Sequence, residues 1–178
     1  MKIPETTTLG FASAGHTLCH LLTLLFPTVL LALEVELELS FKELATLAVP
    51  SAFLFGAGAL PAGLLGDRWS KTTLLYIYFY GTGAMTTLSG FAKTPLMLAV
   101  GLAGIGIFAS IYHPVGMSWL VSRTSKTGTA PGFNGLFGSL VFLAPLGAGT
   151  LTGLWSWRAA FSYPELSVWL WGFSSAFP

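Results

Sequence analysis

Five long segments without a charged residue constrain this chain more than any other feature. They cover residues of about 10–33, 44–65, 72–90, 95–121 and 130–155. A helix needs roughly 20 apolar residues to cross a hydrocarbon core of about 30 Å. Only 8% of the residues are charged, whereas about a quarter are charged in soluble domains. The sequence therefore predicts an all-α membrane protein with five complete transmembrane helices, surrounded by the lipid bilayer.

A sixth apolar segment, at residues 166–178, is too short to span a bilayer. We expect it to be a truncated sixth helix. The segments that connect the apolar runs are brief, so consecutive helices should be antiparallel neighbours. The sequence thus predicts a single transmembrane helical domain over residues 1–178.

Lysine and arginine predict the orientation of the chain in the membrane. The N-terminal side carries five of these cations and the opposite side three, which favours a cytoplasmic N-terminus. We expect a multi-pass protein of a cell membrane, and of the inner membrane in a bacterium. The first apolar run is too long for a signal peptide and should remain as a helix. The five cations are Lys2, Arg68, Lys71, Arg123 and Lys126.

Several functional classes lack sequence support. The single cysteine, Cys19, excludes a disulfide within one chain and a metal cluster built on cysteines. A net charge of +1 provides no basic surface for nucleic acid. No metalloprotease, serine-hydrolase or phosphate-binding motif is present. We therefore expect neither an enzyme nor a bound cofactor.

The segment between the second and third runs concentrates charge in an apolar chain. Its sequence is GLLGDRWSK, residues 63–71. Gly63 and Gly66 would permit close approach of another backbone. Asp67 would accept backbone N–H groups at the start of the third helix. Arg68 and Lys71 follow the cytoplasmic bias of cations, so a helix cap with interfacial cations accounts for the segment in purely structural terms.

The order Gly63-x-Leu65-Gly66-Asp67-Arg68-x-Ser70-Lys71 also resembles the loop signature of the major facilitator superfamily of transporters. That resemblance implies twelve helices in two halves, with the first and fourth helices of this half lining a central cavity. Substrate would bind near the midplane and be exposed alternately to each side. The loop would contact a helix of the other half. This chain would be the N-terminal half, with the C-terminal half as its missing partner.

Three further segments resemble the fosmidomycin-resistance type of exporter in this superfamily. They are GHTLCHLLTLLFP, IYHPVGMSWLVSRT and GFNGLFGSL, at residues 15–27, 111–124 and 132–140. The resemblance implies efflux of a small drug-like compound. One departure is that the fourth run lacks the arginine that many drug–proton antiporters of the superfamily carry there.

The fifth run is rich in glycine and also contains a proline. It resembles, in degenerate form, the antiporter motif of drug exporters in the superfamily. Close helix packing is the structural alternative, since small residues favour it in membranes. The residues concerned are Gly135, Gly138, Pro145 and Gly147.

The three histidines are the ionisable side chains at membrane depth. His16 and His20 are four residues apart and share one helical face. Because the resemblance puts the first and fourth helices at the cavity, His113 can join them there. An imidazole with a pKa near 6.5 suits proton coupling. Neutral histidines that bond across helices are the structural alternative. Zinc binding by the His16–His20 pair is disfavoured, because only Cys19 accompanies it and no acidic ligand does.

Pro114 should kink the fourth helix, because it cannot donate to the carbonyl of Ser110. Tyr112 and His113 would then present polar groups to a substrate, although a kink without any ligand is equally open. Taken together, the residues and the resemblance predict proton-coupled efflux of a small molecule by alternating access. The alternative is an inactive remnant or a nontransporting membrane-interaction protein.

Overall fold

The computed structural model describes residues 4–162, and every regular element in that range is a helix. The predicted all-α membrane fold is confirmed. The predicted partial helix at 166–178, together with Lys2, lies outside the described residues.

Five long helices make up most of the described chain. The first two extend past their uncharged runs by about a turn at each end, whereas the other three follow their runs to within two residues. A final helical segment follows at residues 157–162. We number the five helices α1 (Glu5–Leu37), α2 (Phe41–Arg68), α3 (Lys71–Gly90), α4 (Pro95–Arg123) and α5 (Thr129–Leu154).

Four of these helices, α1, α2, α4 and α5, are long and apolar enough to cross a membrane. Helix α3 has sufficient length, with 20 residues, but its threonines and tyrosines lower its mean hydropathy. Two of its threonine hydroxyls bond to carbonyls of the helix itself. The hydroxyl of Thr82 donates to the Tyr78 carbonyl and that of Thr86 to the Thr82 carbonyl, each over 2.7 Å. Both threonines are buried, so these two hydroxyls are shielded from lipid.

Side-chain caps begin α2, α3 and α4. Ser40 and Glu43 form a capping box at α2, and Thr94 accepts from the Met97 N–H at α4. At α3 the cap is Ser70, whose hydroxyl accepts from the Thr73 N–H over 3.3 Å. The expectation that Asp67 would cap α3 was wrong. Asp67 lies inside α2, because α2 continues to Arg68 and leaves only two residues before α3.

Helix α4 lies at the centre of the bundle, where it packs against α2 and α3, while α1 packs along α5. Glycines make the α2–α4 contact close: a Cβ at Gly106 would collide with the main-chain oxygen of Ser51. This packing brings the middle of α1 next to the second half of α4.

Prolines interrupt the regular geometry of two helices. A π-helical turn, Tyr112–Gly116, surrounds Pro114 in α4, where the sequence predicts a kink. A 3-10 segment, Ser139–Phe142, precedes Pro145 in α5. Proline lacks the N–H that an α-helix would use at each point, so the backbone adopts another bonding pattern there.

A polar contact joins the far end of α1 to the final helical segment. The Trp157 indole N–H donates to Glu36 Oε2 over 2.7 Å, and the Arg158 guanidinium forms an ion pair with the same carboxylate. Arg158 also donates to the Ala92 carbonyl over 3.0 Å. These bonds hold the end of α1 against the α3–α4 connection.

Candidate functional site

Three histidines from two helices converge near the middle of α1. The ring centroids of His16 and His20 lie 5.0 Å apart, and those of His113 lie 5.2 Å from His16 and 5.3 Å from His20. One ring nitrogen of each residue lies within 4.8 Å of those of the other two. We call these three residues the histidine cluster. The fold thus brings together the three histidines that the sequence indicates as candidates for the substrate or proton pathway.

The local backbone explains how the cluster forms. His16 and His20 are one helical turn apart and share a face of α1. His113 lies in the π-helical turn of α4, next to Pro114. A π-turn inserts an extra residue into the helical repeat, and such turns are frequent at functional sites. The π-helical turn at Pro114 is thus part of the segment that places His113 next to α1.

The orientation of His16 is defined by two hydrogen bonds. Its Nδ1 lies 3.0 Å from the main-chain oxygen of Asn134 in α5, and a carbonyl can only accept, so Nδ1–H donates. In the neutral ring Nε2 is then unprotonated. That nitrogen lies 3.2 Å from Nε2 of His20, which must therefore donate. The two hydrogen bonds thus run in one direction: His20 donates to His16, and His16 donates to the Asn134 carbonyl.

Close packing holds the His16 ring in this position. A Cβ built at Gly138 would lie 2.7 Å from Cε1 and 2.8 Å from Nε2 of His16, so only glycine fits beside the ring. Tyr112 stacks on the ring with centroids 5.5 Å apart. His16 is buried by these contacts, whereas His20 and His113 are partly exposed. The cluster thus has a rigid, closed side and an accessible side.

Tyr112 lies behind the histidines instead of beside an open cavity. Its side chain is 1% exposed. The hydroxyl donates to the Ala12 carbonyl in α1 and accepts from Nδ2 of Asn134 over 3.4 Å. Tyr112 therefore links α1, α4 and α5, and its contacts are those of a residue that supports the cluster.

Asn134 is the site residue that the sequence analysis did not select. It is fully buried, and its Oδ1 has no hydrogen-bond partner among the described residues. Its main chain orients His16 and its side chain reaches Tyr112. One signal was present in the sequence, since this is the only asparagine of the chain and it stands within an apolar run.

An apolar cavity adjoins the cluster between α1, α2 and α4. Its volume is about 290 Å³, and Leu22, Phe26 and Phe55 contribute to its wall. Thr23 and Ser51 are its hydroxyl-bearing residues. Phe55 also meets the ring of His113 edge-on, with centroids 6.0 Å apart. The cavity is therefore connected to the cluster through Phe55, and none of the three histidines lines it.

The charged motif of the second and third helices packs against the same π-turn. A Cβ at Gly66 would lie 3.2 Å from Cγ2 of Val115, and one at Gly63 would lie 3.5 Å from Cβ of Pro114. Asp67 and Arg68 are exposed and Lys71 is partly exposed. Within residues 4–162 neither Asp67 nor Arg68 has a side-chain hydrogen bond or ion pair. The glycines face the bundle, and the two charged residues after Gly66 face outward.

The selected residues of α5 occupy different environments. Gly138 contacts His16 closely, whereas a Cβ at Gly135 or Gly147 would meet no described atom within 4 Å. Pro145 lies between Ala144 and Ala148, both of which are buried. Near these positions α5 packs against α1 through Ala144, Ala148 and Gly138, while Gly135 and Gly147 face away from the described helices.

Comparison with known proteins identifies a family for most of the chain. Residues 12–164 match the model of the Major Facilitator Superfamily. The matched range includes all three histidines and the charged motif. Comparison with curated proteins found no match.

Proposed function

The chain belongs to the major facilitator superfamily, and we propose that it forms the N-terminal half of a proton-driven exporter of small drug-like molecules. Membrane transport of small molecules is the activity of this family, whose members are generally not enzymes. In the proposal a C-terminal half completes the cavity, and alternating access moves the substrate outward. The membrane is the bacterial inner membrane, with the N-terminus in the cytoplasm.

The observation that carries this proposal is the convergence of His16, His20 and His113. Ionisable groups are rare at membrane depth, and they usually mark the path of a substrate or ion. The cluster combines two partly exposed imidazoles with one that is held rigidly. Charged residues do not accompany them in the membrane-embedded runs, so the histidines are the candidates for carrying protons.

The hydrogen-bond chain offers a way to couple a proton to a change of structure. The unprotonated Nε2 of His16 accepts from His20. If His16 takes up a proton there, both Nε2 atoms carry hydrogen and the bond between them is lost. The positive charge also repels a proton on either neighbour. Protonation would therefore separate the imidazoles on the accessible side of the cluster.

The adjoining cavity supports a drug-like substrate. Small-molecule sites are mostly apolar with a few polar groups that orient the ligand. Leucine and phenylalanine side chains line this cavity, and Phe55 connects it to His113. A substrate here would contact α1, α2 and α4 together. Residues of the other half would complete its binding site.

The charged motif has a mechanical role in this proposal. Asp67 and Arg68 point away from the described helices and would bind a helix of the C-terminal half. Gly63 and Gly66 pack against Pro114 and Val115, the two residues that follow His113. A shift of α2 against the other half would therefore also displace the π-turn that carries His113.

Transport in inside-out bacterial membrane vesicles tests the proposal. The vesicles contain this chain, alone or together with the C-terminal half of a fosmidomycin-resistance type of exporter, and labelled fosmidomycin is the probe. We expect uptake that a protonophore abolishes and that needs both halves. Uptake by the chain alone would overturn the half-transporter assignment. No uptake in either arm would overturn transport of this probe and favour a nontransporting membrane protein.

A matched set of variants tests the histidines in the same assay. His20→Gln and His113→Gln should each abolish protonophore-sensitive uptake, because glutamine can bond but cannot carry the proton. Thr46→Val is the control, since Thr46 is exposed on α2 and its hydroxyl bonds only within its own helix. Unchanged uptake in both histidine variants would remove them from the proton path.

A further inference from the structure

We propose that the histidine cluster is a binding site for a divalent transition-metal ion of the zinc type, held by His16, His20 and His113. Three imidazoles with an open fourth position form a known coordination set for zinc. The sequence alone disfavoured zinc, because only Cys19 accompanies the His16–His20 pair and no acidic ligand does. The fold instead brings a third imidazole to the pair, that of His113 in α4. This inference goes beyond transport and does not depend on it.

The spacing of the ring nitrogens fits such a site. Zinc–nitrogen bonds of about 2.0–2.1 Å place two ligands of a tetrahedron about 3.4 Å apart. The Nε2 atoms of His16 and His20 already lie 3.2 Å apart. The ligand atoms of all three residues lie within 4.8 Å of one another, so metal binding would draw the more distant imidazole closer to complete the set. Two histidines one turn apart on a helix are an established zinc-binding pair.

The surroundings of His16 match those of a metal ligand. Metal-binding histidines usually donate their second ring N–H to a carbonyl or carboxylate, which fixes the tautomer and orients the ring. His16 donates from Nδ1 to the Asn134 carbonyl over 3.0 Å. Its Nε2, the nitrogen that faces His20, is therefore the unprotonated one. Gly138 and Tyr112 hold the ring from both sides.

The remaining two ligands can adopt the required form. His20 donates from Nε2 in the metal-free pair, and it binds a metal once its proton moves to Nδ1, an equally neutral tautomer. His20 and His113 are partly exposed, so an ion has access to them. Cys19 is not a ligand, because it is fully buried and its thiol lies 3.7 Å from the Ala109 carbonyl.

The ligand set also indicates which ions bind. Imidazole suits zinc, copper, nickel and cobalt, whereas magnesium and calcium prefer oxygen ligands. Three neutral ligands leave the full charge of the ion uncompensated. A fourth position occupied by water or an anion would complete the site.

Cobalt titration of the purified chain tests the site. The protein carries an affinity tag without histidine and is kept in an uncharged detergent, so that neither tag nor lipid binds metal. We expect one Co²⁺ per chain with the strong visible absorption of tetrahedral cobalt, and displacement by Zn²⁺ but not by Mg²⁺. X-ray absorption of the zinc form should show three imidazole ligands. A six-coordinate, all-oxygen spectrum would overturn the proposal without any variant.

Variants then locate the ion. His20→Gln and His113→Gln should each weaken Co²⁺ binding at least ten-fold, while Cys19→Ser should leave it unchanged. Circular dichroism and a monodisperse elution profile establish that each variant is folded. Unchanged affinity in both folded histidine variants would overturn the site, as would loss of binding in Cys19→Ser alone. Because no arm measures transport, a failure of the proposed function leaves this result intact, and the reverse also holds.

Discussion

His16 donates from Nδ1 to the main-chain oxygen of Asn134 over 3.0 Å, and this bond links α1 to α5. It selects the tautomer of His16 and leaves Nε2 unprotonated toward His20. This Nε2 is the atom at which the proposed proton or metal ion would bind. Gly138 and Tyr112 pack around the His16 ring and maintain this arrangement.

Replacing Gly138 by alanine should disturb His16. The new Cβ would lie 2.7 Å from Cε1 of the ring, so either the ring or α5 must move. Overpacking of this kind costs about 1–3 kcal/mol. We expect a corresponding loss in the free energy of unfolding, measured by denaturant titration in detergent micelles, and weaker Co²⁺ binding.

Gly135→Ala is the matched control on the same helix, because a Cβ at Gly135 meets no described atom within 4 Å. Alanine is favoured over glycine in a helix by about 0.5–1 kcal/mol, so this variant should be neutral or slightly stabilising. Equal effects of the two substitutions would show that Gly138 does not constrain the ring.

Tyr112→Phe should remove hydrogen bonds next to the histidine cluster without creating a cavity in the core. The ring is retained, but the Ala12 carbonyl loses the hydroxyl that donates to it, and Nδ2 of Asn134 loses the acceptor that it reaches at 3.4 Å. A buried polar group left without a partner costs about 1–3 kcal/mol, so we expect a loss in this range. Thermal unfolding in detergent measures it.

Ser139→Ala serves as the comparison for Tyr112→Phe. Its hydroxyl is exposed and donates to the Gly135 carbonyl over 3.4 Å. Surface substitutions of this type stay within about 0.5 kcal/mol. A Tyr112→Phe variant as stable as Ser139→Ala would mean that the hydroxyl contributes nothing to the α1–α4–α5 junction.

The ion pair between Glu36 and Arg158 should contribute little by itself. Both side chains are more than a third exposed, and exposed pairs are worth about 0.2–1 kcal/mol. A double-mutant cycle with Glu36→Gln and Arg158→Gln, followed by unfolding in detergent, should give a coupling energy in this range. It should fall as salt is added.

Glu36→Ala should be more damaging than Glu36→Gln. Alanine removes the acceptor of the Trp157 indole N–H, which now donates over 2.7 Å, whereas the glutamine carbonyl can replace it. If the two variants are equally stable, the Trp157 bond does not hold the end of α1.

Zinc should inhibit the proposed proton-driven uptake, because metal and proton compete for the same nitrogen lone pairs. The inhibition should weaken as the pH falls, since protonated imidazole cannot bind metal. Vesicle uptake at several Zn²⁺ concentrations measures it, and Mg²⁺ should have no effect. Equal inhibition by Mg²⁺ and Zn²⁺ would contradict competition at these imidazoles.

Much of the architecture was predictable because the relevant signals are local. An uncharged run as long as a bilayer is thick forms a helix in whatever fold contains it, since lipid leaves the backbone no other partner. The irregularity at Pro114 follows from a missing N–H, and the structure has a π-helical turn there. The sequence predicted Asp67 as the cap of α3, whereas the cap is Ser70. The charged residues ended the apolar run before the helix itself ended, so Asp67 looked like a loop residue.

The sequence by itself determined the class of this protein, the positions of its helices and its family, through long apolar runs and one charged motif. Tertiary structure decided the chemistry of the site. Helical periodicity puts His16 and His20 on one face, but it does not specify which helix lies opposite. Only the packing of α1 between α4 and α5 brings His113 to the pair and Asn134 to Nδ1 of His16, because these contacts join residues about a hundred positions apart.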